Sequence, residues 1–282
     1  MTPVPPDVVA AAVARLRAAG CVFAEAEAEL LAAAASTRAD LDDMVARRSS
    51  GLPLEHVVGW AEFCGLRIVV SPGVFVPRRR SELLVREAIA AAGQSRPDGG
   101  PAGAPRPVIL DLCCGSGAIG VAVVAALGTA ELHAADIEPA AVACARENVV
   151  AVDGHVYQGD LYDPLPGTLR GRVDVLAVNA PYVPTDEIGL LPPEARLYEP
   201  AVALDGGPDG VAIHRRIAAG AARWLAPAGR LLIETSRRQA ALTVAAMTAG
   251  GFVATVTSDD DLAATVVTGS LAGHAADPAV RA

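Results

Sequence analysis

Apolar residues along this chain recur with two different periods, and the change of period divides it. Residues 7–48 are dominated by Ala, Leu, Val, Arg and Glu at helical spacing, and Gly20 interrupts the run. Leu16, Val22, Phe23, Leu30, Leu31 and Leu41 can supply apolar faces there. Asp40-Leu41-Asp42-Asp43 has the acidic first turn that opens a further short helix. Two β-prone runs follow, Leu66-Arg67-Ile68-Val69-Val70 and Val74-Phe75-Val76. Ser71-Pro72-Gly73 separates them, so they read as a hairpin. Residues 81–92 return to helical spacing. Residues 93–107 are rich in Gly and Pro and read as a mobile surface loop.

Beyond Pro107 short apolar strands alternate with helices. Strands are expected at 108–110, 131–135, 155–157, 173–178 and 230–234, and helices at 118–127, 139–150, 211–224 and 239–248. Such alternation predicts an α/β fold with a parallel sheet covered on both faces. Residues 252–257 and 264–268 look like a closing antiparallel pair. The expected organisation is a helical module over 1–65, a hairpin linker over 66–80 and a catalytic domain over 81–282.

The chain has 282 residues and a net charge of -9, which lacks the basic footprint of a nucleic-acid binder. Its five cysteines, Cys21, Cys64, Cys113, Cys114 and Cys144, match no zinc or disulfide framework, so no metal is expected. No apolar run is long enough to span a membrane. These features together predict a cytoplasmic protein with reduced thiols.

Asp111-Leu112-Cys113-Cys114-Gly115-Ser116-Gly117 lies between a strand and a helix, where glycines let the backbone approach a ligand. Asp136 ends the next strand and can accept hydrogen bonds from ribose hydroxyls, with Ile137 beside it. Asp160 and Leu161 follow the third strand. Gly115 to Gly120 also satisfies the dinucleotide pattern G-x-G-x-x-G, although that fingerprint usually opens its domain and here about a hundred residues precede it. Cys113 and Cys114 have no neighbouring His to activate them and read as small inert hydrophobes.

Asn179-Ala180-Pro181-Tyr182 follows the apolar strand 175–178. The plain reading is an Asn-Pro turn. The chemical reading is an acceptor site. The Asn179 side-chain oxygen and the Ala180 carbonyl can take the two hydrogens of a target NH₂, Tyr182 can stack on a planar group, and Pro181 stiffens the turn. An amide nitrogen is a poor nucleophile because its lone pair is delocalised, so two acceptors and alignment with the donor matter.

These residues resemble the HemK/PrmC family of protein-(glutamine-N(5)) methyltransferases. The likeness runs in order through Gly51 to Gly59, Glu62 to Gly65, Val74 to Arg78, Ser81-Glu82, Asp111 to Gly120, Asp136, Gly159-Asp160 and Asn179 to Tyr182. It continues through Glu199 to Leu204, Gly210, Ile233-Glu234 and Gln239. The resemblance implies a Rossmann-like class I methyltransferase with a seven-stranded, mostly parallel sheet, a small helical N-terminal domain and a connecting β-hairpin. It implies S-adenosylmethionine as cofactor and, as partner, a protein substrate such as a class I peptide-chain release factor methylated in its Gly-Gly-Gln motif. Some relatives modify a ribosomal protein instead. Carried onto this chain, Asp111 and Cys113 to Gly117 would face the methionine part of the cofactor and Asp136 with Ile137 the ribose. Asp160 with Leu161 would border adenine, and Asn179, Ala180, Pro181 and Tyr182 would hold the target glutamine, with Asn179 also touching the cofactor.

The sequence departs from the family pattern in several places. Asn-Ala-Pro-Tyr replaces Asn-Pro-Pro-Tyr, Cys-Cys replaces a Gly-Thr-like pair, Arg79-Arg80 replaces a Pro-acidic pair, and Ser236 stands near an expected Gly. These suggest a divergent paralogue. Arg78 to Arg80 read either as a solvated face or as a contact to substrate or to acidic residues of the helical module. Trp60, Phe63 and Phe75 read as interdomain core. Two other functions stay open: an adenine amino-group methyltransferase acting on nucleic acid, and a cofactor-binding paralogue without turnover.

Overall fold

The computed structural model describes residues 4–94 and 106–272. Of the loop expected over 93–107, Gly93 and Gln94 close a helix, and 95–105 lie outside the described residues. Helices α1 (Pro6–Ala18), α2 (Ala24–Ala34), α3 (Arg38–Ser49) and α4 (Leu54–Val58) bury one another around Leu16, Leu31, Leu41 and Val45. Helix α3 begins two residues before Asp40. Thr37 Oγ1 accepts the Asp40 amide at 3.1 Å, which makes Thr37 the cap and leaves Asp40 inside the first turn. Val22 and Phe23 do not join this core and are 84% and 72% exposed. Gly20 takes φ +90° between α1 and α2, so the helical phase that buries Leu16 is broken before it reaches them.

The connecting hairpin lies elsewhere than its sequence pattern suggested. Strands β1 (Trp60–Phe63) and β2 (Leu66–Val69) pair antiparallel about a two-residue turn, Cys64-Gly65, with φ of 51° and 74°. Positive φ at both central residues gives the twist that a tight hairpin needs. Ser71-Pro72-Gly73 is also a turn, but Val74 and Val76 beyond it are buried in the core of the following α/β region rather than paired with β2. Phe63 is buried in the same core. Trp60 is half-buried under the Arg67 guanidinium, and Phe75 under that of Arg78.

Helix α5 (Glu82–Gln94) leads to a seven-stranded sheet. Its elements are β3 (Val108–Leu112), α6 (Ala118–Leu127), β4 (Glu131–Asp136), α7 (Pro139–Val149), β5 (His155–Gln158) and β6 (Val173–Val178). Then come α8 (Pro193–Tyr198), α9 (Ala212–Ala221), β7 (Leu225–Thr235), α10 (Ala240–Ala249), β8 (Phe252–Asp259) and β9 (Ala264–Leu271). The order is β5-β4-β3-β6-β7-β9-β8, parallel except at β9. Every residue of β3 and β6 is buried, as expected for central strands covered by helices on both sides. Strand β7 starts five residues before the expected 230. Its register against β6 slips between Val173 and Val175, where a Cβ on Gly229 would stand 2.5 Å from the Val173 carbonyl.

The helical module is tied to the long β6–α9 connection by Arg48 of α3. Its guanidinium holds Glu27 of α2 at 2.6 and 3.2 Å and Glu194 of α8 at 2.6 Å. Tyr198 at the other end of α8 donates to the Ser50 carbonyl at 3.1 Å. Replacing Arg48 by Ala strands Glu27 in a buried position. The expected outcome is a loss of about 3 kcal/mol, read from the urea midpoint, because a lone buried charge is costly. An unchanged midpoint would show that Glu27 finds another donor.

Candidate active site

The carboxyl ends of β3, β4, β5 and β6 open into one cavity of about 600 Å³. The chain turns back between β3 and β6, so the loops leaving these neighbours diverge and a crevice opens between them. Cys113, Cys114, Gly115 and Ser116 line it from β3, Asp136 and Ile137 from β4, and Asp160 and Leu161 from β5. Asn179, Ala180, Pro181 and Tyr182 line it from β6. Two expected residues are not at the cavity. Asp111 lies inside β3, fully buried, and its Oδ2 accepts the Gly120 amide at 2.9 Å. It fastens the strand to α6, one turn beneath the crevice. Gly117 caps α6 at φ +77° and faces α7, where a Cβ would meet Val149 at 3.1 Å.

Asp136 receives the Gly115 amide at 2.8 Å on one carboxylate oxygen and the Glu138 amide at 2.9 Å on the other. Burial nevertheless raises its pKa. Each oxygen keeps a lone pair for a hydroxyl from the cavity. Asp160 receives Arg216 of α9 at 2.7 Å. Burial pushes both the Cys113 and Cys114 thiols well up, so neither is an activated nucleophile. Asn148 of α7 braces this half of the site. Its amide nitrogen donates to the carbonyls of Ser116 and Val69, each at 2.9 Å, and its oxygen accepts the Val69 amide at 2.8 Å. One side chain thereby joins the glycine turn to the hairpin, a role that its place in an ordinary helical run did not reveal.

The second half of the cavity is built around the turn after β6. The Asn179 amide nitrogen donates to Ser81 Oγ at 3.2 Å. The Tyr182 carbonyl accepts Gln239 Nε2 at 2.7 Å, and Gln239 also holds the Asp209 carbonyl at 3.2 Å. Gly210 sits between them, and a Cβ there would lie 2.0 Å from Gln239 Nε2 and 2.4 Å from the Tyr182 oxygen. Burial, reinforced by Glu234, pushes the Tyr182 hydroxyl up to about 12, so it stays protonated. Arg78 pairs with buried Glu199, on the catalytic side, rather than with the helical module, while Arg80 is exposed at the cavity rim. The sequence marked Ser81, Glu234 and Gln239 only as parts of motifs. Their contacts span separations that no local pattern carries.

The cavity fits S-adenosylmethionine in size and donor set. The Gly115 turn leaves its backbone open, since a Cβ at Gly115 would meet nothing within 4 Å, and two carboxylates flank the space beyond. Among the described residues no helix is long and apolar enough to cross a membrane.

Comparison with known proteins agrees with this architecture. The Methyltransferase small domain model matches residues 102–189. The Release factor glutamine methyltransferase of Mycolicibacterium smegmatis is 37% identical over 272 residues, 90% of this chain and 92% of its own. The 4-amino-L-phenylalanine/4-methylamino-L-phenylalanine methyltransferase of Streptomyces pristinaespiralis is 36% identical over 209 residues, 73% of this chain and 69% of its own. Among solved structures, the hMettl16 catalytic domain in complex with MAT2A 3'UTR hairpin 6 shares the fold with a TM-score of 0.57, at 14% identity and 84% coverage of each chain. The molecule is a class I methyltransferase in its sheet order and in the placing of its crevice. The chain belongs to the release factor glutamine methyltransferase family.

Burial pushes Asp111 up to about 7, against roughly 4 for a free carboxyl. Between those values the folded protein holds a proton that the unfolded chain has lost. Stability therefore falls as pH rises from about 4 to 7. Asp111→Asn should flatten that part of the slope in a melting-temperature series. A slope of the same sign should remain from Asp136 and Glu234, whose pKa values burial also raises. An identical profile in the variant would show that Asp111 is not the group responsible.

Proposed function

We propose that this enzyme methylates the side-chain amide nitrogen of a protein glutamine, with the Gly-Gly-Gln motif of a class I peptide-chain release factor as acceptor, in the cytoplasm. One observation carries the reading. The Asn179 to Tyr182 turn and the Gly115–Asp136–Asp160 crevice share a single cavity, in a chain similar over nearly its whole length to an enzyme of that name. Bound S-adenosylmethionine supplies an electrophilic methyl group, and Cys113 to Ser116, Asp136, Ile137, Asp160 and Leu161 would hold it. Asn179 Oδ1 and the Ala180 carbonyl accept the two N–H bonds of the target. This turns the nitrogen lone pair toward the donor and favours positive charge on nitrogen as the new bond forms. Tyr182, neutral throughout, lies against the amide plane. The new N–C bond would form as the sulfonium S–CH₃ bond breaks with its electron pair left on sulfur, and the nitrogen releases one proton to solvent, leaving the neutral N-methyl amide.

A second reading replaces the protein amide with a free aromatic amine bearing a carboxylate. It is favoured by Arg80, which makes no ion pair among the described residues yet lines the cavity, and by the similarity to an aminophenylalanine methyltransferase.

The deciding assay offers labelled S-adenosylmethionine with purified release factor in one tube and 4-amino-L-phenylalanine in another, followed by mass mapping. A single methyl on the Gly-Gly-Gln glutamine is expected. Label only on the small amine would replace the first reading with the second. Asn179→Ala should abolish turnover while cofactor affinity stays within about tenfold, a change under about 1.4 kcal/mol. Full activity in that variant would remove the acceptor assignment.

A further inference from the structure

Two carboxylates stand at the ends of neighbouring strands in this cavity, and they are held in different ways. Asp136 is fixed by the backbone, which gives it the Gly115 and Glu138 amides, one on each oxygen. Asp160, after β5, accepts no backbone amide on its carboxylate among the described residues. Its one partner there is the Arg216 guanidinium, 2.7 Å from Oδ2, and Oδ1 is left without a hydrogen bond. A short carboxylate side chain that nothing holds turns between rotamers, and a ligand must then halt it at a cost in affinity. Arg216 does for Asp160 what two backbone amides do for Asp136.

We propose that Arg216 is a positioning residue that holds Asp160 with its free oxygen toward the cavity, where it accepts the exocyclic amino group of adenine. The inference rests on the cofactor reading made above and adds to it the residue that sets selectivity for the base. The spacing of helix α9 brings Arg216 to the site. Ile213 and Arg216 are three residues apart, so they share one face of the helix, and both line the cavity. The two residues between them face elsewhere. His214 is fully buried against Thr243 of α10, and Arg215 pairs with Asp209. Leu161 and Ile213 line the cavity while packing on the core behind it, and Ile137, beside Asp136, is 50% exposed there. An apolar surround with one charged edge suits a flat heteroaromatic ring, apolar on its faces and polar at its rim.

The polarity of the contact is what makes it selective. A carboxylate only accepts, so Asp160 Oδ1 matches an amino group and opposes a carbonyl oxygen in the same place. Adenine presents an amino group there. Hypoxanthine, of nearly the same size, presents an oxygen. Arg216 acts through Asp160 rather than on the base: its guanidinium keeps Oδ2 occupied, and Oδ1 is the atom that remains. The turn that carries Asp160 is itself closely packed. A Cβ on Gly159 would lie 3.0 Å from Pro164, and the Asp160 carbonyl accepts the Asp163 amide at 3.1 Å. With the backbone held in this way, the freedom left to Asp160 is in its side chain, the part that Arg216 holds.

The test is a binding measurement and needs neither acceptor nor turnover. Affinities for S-adenosylhomocysteine and S-inosylhomocysteine are read by titration calorimetry on the full chain. The inosyl ligand sets an oxygen against Asp160 Oδ1, so the wild type should prefer the adenosyl ligand by about tenfold or more. Arg216→Ala should weaken S-adenosylhomocysteine by about fivefold, the worth of a partly exposed ion pair that holds a binding group in place. S-inosylhomocysteine should lose almost nothing, because a released carboxylate swings away from the ring oxygen, and the preference should fall to about twofold. The melting temperature without ligand should not move, since the two side chains are 52% and 41% exposed. Arg216→Lys keeps the charge without the planar guanidinium and should fall between the wild type and Arg216→Ala. With Asp160→Asn already in place, Arg216→Ala should leave the preference where it finds it. A preference unchanged in Arg216→Ala would overturn the proposal, as would an equal loss for both ligands, which reports a general effect on the pocket. If the wild type binds neither ligand, the cofactor reading itself fails and this assignment goes with it; if it binds the adenosyl ligand and Arg216→Ala binds both ligands as the wild type does, only the role of Arg216 is lost.

Discussion

The site depends on the register between two neighbouring strands. β3 and β6 run parallel with Leu112 opposite Val178, so the turns that begin at Cys113 and Asn179 leave the sheet side by side. A slip of one residue would turn either set of side chains to the opposite face. Both strands are buried along their whole length and are covered by helices on each side, which holds the register against slippage. The glycine-turn half and the Asn179-turn half of the cavity meet because of this pairing, and the chain segments that decorate them come from much further away.

Those segments brace the two halves by different means. The half around the Cys113 to Gly117 turn is fastened from one flank by Asn148, whose amide spans that turn and the hairpin. The half around the Asn179 to Tyr182 turn is fastened from below by Glu234 and Gln239, which lie at and just beyond the end of β7. Ser236, at a position where related sequences suggest a glycine, hydrogen-bonds Gln239 and so holds the side chain that grips the Tyr182 carbonyl. That departure has a structural use. No comparable contact accounts for the replacement that produced Cys113-Cys114, beyond two thiols packed at the base of the turn.

Much of this was legible in the sequence because its signals are local. Strand–helix alternation gave the sheet, and an Asp or Gly at successive strand ends gave the crevice. The hairpin was misplaced because Leu66 to Val70 and Val74 to Val76 look like a pair, whereas the tighter Cys64-Gly65 turn joins Leu66 to the less obviously β-prone Trp60 to Phe63. Asp111 was assigned to the ligand because position in a motif says nothing of side-chain direction, and its carboxylate points to the α6 amide instead. Ser81, Asn148 and Glu234 were unreadable as partners of the site, since each acts across a gap in sequence that only the fold closes.

The two contacts that α8 makes with the helical module, Glu194 to Arg48 and Tyr198 to Ser50, have a bearing on modularity. Leu191, Pro192 and Ala195 on the same stretch form a wall of the cavity. The first fifty residues are therefore not a detachable accessory. A chimera that exchanged them for those of a relative would inherit a foreign support for its own cavity wall. The natural unit of exchange is discontinuous, combining the helices at the start of the chain with a short stretch whose contacts lie 146 and 148 residues further along.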